Sequence, residues 1–136
     1  MSIAVSLAAL LAGPAAQAPQ CPSLALMVEL GAAMPAEQLR AARAAAEAHP
    51  LGSRENPIRV CGPNGERAYL ARLRCADGAA PRIGQRNSIG AGPYRTILDR
   101  YPLDCGGAAP GRTELIMDMY HDEPETRAAA GFGIAP

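Results

Sequence analysis

Four cysteines place the strongest constraint on what this chain can fold into. Cys21, Cys61, Cys75 and Cys105 all lie beyond an apolar segment at the N-terminus. An even number of cysteines in a short chain is typical of a disulfide-bonded domain that folds in an oxidising compartment. No two of them have Cys-x-x-Cys spacing, and the chain holds only 2 histidines. We therefore predict two disulfides and neither a metal site nor a cofactor.

The N-terminus has the pattern of a targeting segment. Residues 3–12 form an apolar run that is too short to span a bilayer but has the length of a signal-peptide core. A Gly-Pro pair at 13–14 ends the run, and Ala-Gln-Ala at 16–18 matches the small-x-small pattern of a cleavage site. We predict a signal peptide at 1–18 and a periplasmic or secreted mature chain without a transmembrane segment. The alternatives are a buried N-terminal helix and a lipid anchor on Cys21.

Composition excludes several classes of protein. The 136 residues suit one domain, and 13 basic against 13 acidic residues leave no net charge, which argues against a nucleic-acid binder. A hydrophobic content of 49% is too high for a wholly disordered chain. The absence of Trp and of Lys, beside 14 Gly and 13 Pro, is typical of a GC-rich bacterial genome and predicts a small core with many loops.

One segment of the mature chain has the pattern of a helix. Residues 35–48 begin with a proline that suits a first turn, and Glu37 lies near the positive end of the helix dipole. Most of the remaining residues in this segment are good helix formers. Residues 19–34 mix proline, cysteine and apolar side chains, and we interpret them as a linker.

Beyond residue 56 the pattern changes to short strands separated by turns. Four strands are predicted, at residues 58–61, 67–75, 95–105 and 114–121. A Gly-Pro-Asn-Gly turn at 62–65 joins the first two into a hairpin, and a long loop rich in Gly, Pro and Arg fills 76–93. The predicted fold class is α+β, with one N-terminal helix and a small antiparallel sheet of about four strands. The domain would occupy 35–121, with an irregular tail at 122–136.

The phase of the strands predicts the disulfide pairs. Cys75 and Cys105 each end a strand on its apolar face, which favours a bridge between them. Cys61 and Cys75 lie on the two arms of the predicted hairpin but not opposite each other, and bridged Cα atoms must lie within about 7 Å. The remaining pair is Cys21 with Cys61.

The long loop is the first place where binding chemistry is expected. Its polar candidates for holding an anion such as a phosphate or carboxylate are Arg82, Arg86, Asn87 and Ser88. The surrounding glycines match no phosphate-binding motif. The alternative interpretation is a solvated surface loop.

The second place is the last predicted strand. Asp118 and His121 are candidates for acid–base chemistry, but on one strand their side chains would point to opposite faces. Asp99 falls in the apolar phase of its own strand and therefore needs a partner, for which an arginine is the expected choice. No motif of a serine or cysteine nucleophile is present.

These patterns favour one functional interpretation over two others. The preferred hypothesis is a small exported bacterial protein without enzymatic activity, which binds an envelope protein or a small anionic ligand and no nucleic acid. The first alternative is an exported hydrolase or metal-dependent enzyme that uses His121 with Asp118, Asp99 or Glu123. The second is a structural protein of the cell envelope.

Overall fold

The computed structural model describes residues 18–136, so the predicted signal segment lies outside the described residues except for its last position. The described part of the chain contains three helices and seven strands. In chain order they are α1 (Pro22–Glu29), α2 (Ala36–Ala46), β1 (Ile58–Arg59), α3 (Gly62–Arg72), β2 (Leu73–Arg74), β3 (Arg82–Ile83), β4 (Asn87–Ala91), β5 (Ile97–Asp104), β6 (Arg112–Asp118) and β7 (Gly133–Ile134).

Five of the strands form a mixed sheet. Its order is β1-β6-β5-β3, and β4 also pairs with β5. The pairs β5–β6, β3–β5 and β4–β5 are antiparallel, whereas β1 runs parallel to β6 with Ile58 opposite Met117. The predicted combination of helices and strands is confirmed, but the wholly antiparallel four-stranded sheet is wrong. The chain between β1 and β6 runs through α3 and four strands, and so long a connection allows two neighbouring strands to run in the same direction.

The predicted hairpin at 58–75 is wrong, because residues 62–72 form helix α3. Proline in the first turn of a helix costs no hydrogen bond, and here Pro63 starts the helix instead of forming a β-turn. The buried positions Glu66, Tyr69, Leu70 and Leu73 follow helical spacing of three, four and seven residues. The buried residues therefore follow helical spacing, and the every-second-residue pattern at 69, 71 and 73, which is typical of a strand, does not describe the structure.

Three further segments are more regular than predicted. The linker at 19–34 contains helix α1, so the single predicted helix is wrong. The loop at 76–93 contains β3 and β4, which both pair with β5. The tail at 122–136 ends in β7, which pairs with β2.

The core lies between α3 and one face of the five-stranded sheet. Residues Tyr101 and Leu115 face each other across β5 and β6, and alternate positions on both strands point to α3. The buried cluster comprises Ile58, Val60, Tyr69, Leu70, Leu73, Tyr101, Leu103, Leu115, Met117 and Ala129.

A charged network holds the C-terminal segment to the domain. Arg59 donates to Glu125 across 3.3 Å, with both side chains buried. Arg127 contacts the same carboxylate at 2.9 Å and Glu47, directly after α2, at 2.8 Å. Although burial opposes it, hydrogen bonds from Arg127 lower the pKa of Glu125 to about 2.

Two disulfides join the helices and the sheet. They link Cys21 with Cys61 and Cys75 with Cys105, at Cα separations of 5.6 and 5.8 Å. These pairs coincide with the predicted ones, but the hairpin used to exclude Cys61–Cys75 does not exist. The 11 residues of α3 separate those two cysteines instead, a rise of about 16 Å. Between residues 18 and 136, no helix has the length and apolar character needed to cross a bilayer.

Candidate functional site

A pair of carboxyl groups lies in the interior between α3 and β5. Glu66 is fully buried and Asp99 is only 3% exposed. The Tyr101 hydroxyl donates to Glu66 Oε2 at 2.7 Å, and the Ser88 hydroxyl donates to Asp99 Oδ1 at 3.3 Å. Arg86 covers the pair from the surface, with Nη1 at 3.7 Å from Glu66 and 3.9 Å from Asp99.

The two carboxyl groups do not both carry a full charge at neutral pH. Burial and, to a lesser extent, the neighbouring Asp99 together raise the pKa of Glu66 to about 7, against the opposing hydrogen bond from Tyr101. Burial and the bond to Glu66 also raise the pKa of Tyr101. A proton on Glu66 Oε1, which has no donor in the described chain, would let that oxygen donate to Asp99.

The sequence predicted part of this carboxyl cluster. It placed Asp99 inward and expected an arginine partner, and Arg86 lies beside it. It missed Glu66, which lies between the predicted turn at 62–65 and the predicted strand at 67–75, and it gave Tyr101 no part in a site. The signal that could have found Glu66 is its helical spacing to Tyr69 and Leu70.

A second polar cluster forms where β6 ends. The strand stops at Asp118, and the turn that follows brings His121 back so that its Nε2 lies 3.1 Å from Asp118 Oδ1. The two atoms are close but do not form an aligned hydrogen bond, because Nε2 has no hydrogen-bond partner among the described residues. The Thr96 hydroxyl donates to Asp118 Oδ2, and the Tyr120 N–H donates to Oδ1 at 3.2 Å. The expectation that Asp118 and His121 point apart is therefore wrong.

The two clusters occupy opposite faces of the sheet. Asp99 lies opposite Met117 in the β5–β6 register, so the adjacent Asp118 points to the other face. Asp99 and His121 therefore do not lie beside each other. Within residues 18–136, no three His, Cys, Asp or Glu side chains come together as metal ligands.

The His121 ring lines a small pocket between α1 and α2. The pocket has a volume of about 170 Å³ and is lined by Leu24, Leu39, Arg43, His121, Asp122 and Glu123. Arg43 pairs with Glu123 at 3.0 Å across its mouth. On the inner side, the Tyr94 ring packs edge-on against the imidazole at a centroid distance of 5.0 Å.

The four predicted anion-binding residues do not converge. Arg86 and Ser88 turn inward to the carboxyl pair, as described above, and Asn87 donates to the Gln85 carbonyl at 3.2 Å. Arg82 alone faces an open surface, where it pairs with Asp104 at 3.1 Å.

That surface is a groove across β3, β5 and β6. Its volume is about 520 Å³, and it is lined by Arg82, Ile83, Gly84, Pro102, Leu103, Asp104, Arg112, Thr113 and Glu114. Gly84 lets the edge of the sheet approach closely, because a Cβ there would lie 2.9 Å from the Pro102 ring. The Pro102 ring forms an apolar part of the floor, whereas Ile83 lies opposite Leu103 in the register and points to the other face.

Two arginines in the groove share one carboxylate. Arg82 Nη2 and Arg112 Nε lie 3.1 and 3.5 Å from the same oxygen, Asp104 Oδ2, and both side chains are more than 80% exposed. The Gly106 N–H and then Arg82 lower the pKa of Asp104, which keeps that carboxyl ionised. Glu114, the other acidic residue of the groove, pairs with Arg100 at 3.4 Å. One positive charge is therefore left over at the Arg82–Arg112 end.

No known protein family matches this chain. Comparison with curated proteins and with solved structures likewise finds no match. The geometry of the three places described above is thus the basis for the function proposed below.

Proposed function

We propose that this protein is an exported bacterial domain that binds a small anionic ligand in the groove between Arg82 and Arg112. The observation that carries the proposal is the sharing of Asp104 by these two arginines. Because a single carboxylate cannot neutralise two guanidinium groups, the pair retains an attraction for a second anion. Arginine forks bind carboxylates and phosphates in bidentate geometry, which adds direction to this attraction.

The floor of the groove indicates the rest of the ligand. The Pro102 ring presents apolar surface on the same face of the sheet as the two arginines. A volume of about 520 Å³ lies within the ordinary range of small-molecule sites. The ligand class is therefore an organic carboxylate or phosphate ester with an apolar portion. The groove residues include no histidine, cysteine or serine, which favours binding without catalysis there.

The predicted export of the chain supports the proposal that it binds a small anion. Two disulfides in a chain with a predicted signal peptide are typical of the periplasm or the extracellular medium. Small ligands reach that compartment without crossing the inner membrane. A partner protein of the envelope could present the same chemistry through an acidic side chain or a C-terminal carboxylate.

A ligand panel measured by thermal shift tests the proposal. Phenyl phosphate and benzoate combine an anion with an apolar ring, benzyl alcohol lacks the charge, and inorganic phosphate lacks the ring. We expect the first two to raise the melting temperature of the oxidised protein, and the last two to have little effect at the same concentration. Equal shifts with benzyl alcohol and phenyl phosphate would contradict a role for the arginines.

A further inference from the structure

The contacts of Asp118 fix a carboxylate beside the His121 ring. Asp118 is fully buried and accepts from the Thr96 hydroxyl and the Tyr120 N–H, so its carboxylate is fixed before it meets the imidazole. His121 Nε2 lies 3.1 Å from that carboxylate. Although the contact is not an aligned hydrogen bond, a carboxylate oxygen at this distance repels a ring lone pair, which favours the tautomer with the proton on Nε2.

The edge of the His121 ring that carries Nδ1 is the edge that can face the pocket. With Nε2 directed to Asp118, the unprotonated nitrogen is Nδ1, and His121 is one of the residues that line the cavity between α1 and α2. A neutral imidazole nitrogen at the wall of a cavity can accept a proton from a bound water.

The remaining walls of the pocket indicate what it would accept. Leu24 and Leu39 are apolar, and a volume of about 170 Å³ corresponds to about five waters. The Arg43 guanidinium bonds to Glu123 through Nη1, which leaves its other N–H groups for a second acceptor. These groups suit a carbonyl oxygen that gains negative charge, whereas the apolar walls suit a short acyl chain.

We propose that His121 is the general base of a second, hydrolytic site for short-chain acyl esters, with Asp118 as its positioning residue. All four cysteines are in disulfides and the described pocket lining carries no hydroxyl side chain, so the nucleophile is water. The water oxygen bonds to the acyl carbon while Nδ1 takes one of its protons. The bond from that carbon to the alcohol oxygen then breaks, and the imidazolium returns the proton to the leaving alkoxide. The products are a carboxylic acid and an alcohol, with no change of oxidation state.

The chain offers a matched control, because His49 is its only other histidine. We would measure kcat/KM of the oxidised mature protein for 4-nitrophenyl acetate, and compare the variants His121→Gln and His49→Gln. The expected loss in His121→Gln is at least 100-fold, the lower end of what a general base contributes. The pH profile should show one imidazole inflection, which His49→Gln retains and His121→Gln lacks. Equal rates in the two variants would overturn the proposal.

Two further measurements keep the test informative if His121→Gln folds poorly. Leu39→Phe places a larger side chain in the wall of the pocket and leaves His121 in the chain, so it should lower kcat/KM at least tenfold while phenyl phosphate still binds in the groove. The wild-type protein should also hydrolyse 4-nitrophenyl acetate much faster than 4-nitrophenyl octanoate, because the longer chain exceeds the pocket. An octanoate rate equal to the acetate rate would show that the reaction occurs elsewhere. Loss of groove binding with intact hydrolysis would refute only the binding proposal.

Discussion

The carboxyl groups of Glu66 and Asp99 meet in the interior beneath a single arginine. They come from α3 and β5, and the guanidinium of Arg86 lies within 4 Å of both. Placing two ionised carboxylates in the core is unfavourable, and the pair avoids this by retaining a proton near neutral pH. This relationship makes stability depend on pH in a predictable direction.

Raising the pH from 5 to 8 should destabilise the protein through Glu66. The pKa of this residue rises from 4.5 in the unfolded chain to about 7 in the fold, so the folded state holds the extra proton in this range. The contribution of this proton to the free energy of unfolding is complete below the unfolded pKa. It is lost as the pH rises through the folded pKa, by up to about 3 kcal/mol. Urea unfolding at several pH values measures the slope. Glu66→Gln should remove it, and the exposed Glu55→Gln should not; an unchanged slope in Glu66→Gln would assign the effect to another group.

Lowering the pH from 5 to 2 should destabilise the protein through Glu125. Its folded pKa of about 2 lies below the unfolded value of 4.5, so its contribution is complete above 4.5 and declines as acid protonates it. Together with Glu66, this predicts a maximum of stability near pH 5. Arg127→Gln should flatten the acid limb and leave the limb above pH 5 as it is. If the variant steepened the acid limb instead, the depressed pKa of Glu125 would have another cause.

The two disulfides should differ in what they stabilise. Helix α1 has no buried residue, so the Cys21–Cys61 bridge is its main attachment to the domain. Replacing both cysteines by serine should raise hydrogen exchange in Pro22–Glu29 and leave the core protected. The Cys75→Ser/Cys105→Ser protein should instead lose about 2–5 kcal/mol of global stability. Equal exchange of the core in both double variants would contradict this division.

Export and oxidation are measured together by intact mass. Protein recovered from the periplasm or the medium should lack residues 1–18 and be 4 mass units lighter than the fully reduced chain, one for each cysteine. A full-length mass would refute the signal peptide. Four free thiols in freshly recovered protein would refute the oxidising location.

The sequence allowed prediction of those elements whose pattern has a single interpretation. Helix α2 and strand β5 lie within the predicted segments, and β6 overlaps the strand predicted at 114–121 but begins two residues earlier and ends three residues earlier. Residues 62–72 carry both a turn motif and helical spacing, and only packing against β5 decides between them. This is also why Glu66 was missed.

The candidate sites depend still more on tertiary contacts. Asp118 and His121 meet because the strand ends between them, a boundary that local sequence does not define. Arg82 and Arg112 are 30 residues apart in the chain and share Asp104 through the pairing of β3 and β6 with β5. Side chains with no local relationship in the sequence are therefore brought together by strand register.

The central claim is that Arg82 and Arg112 together bind an anion, and isothermal titration with phenyl phosphate tests it most directly. Removing either charge-assisted contact by Arg82→Gln or Arg112→Gln should weaken binding about tenfold, equivalent to about 1.4 kcal/mol. The control is Arg67→Gln, which removes an exposed arginine of α3 outside the groove. The account predicts unchanged affinity in the control and a tenfold loss in each groove variant. Affinity that is unchanged in both groove variants, or lost equally in Arg67→Gln, would contradict it.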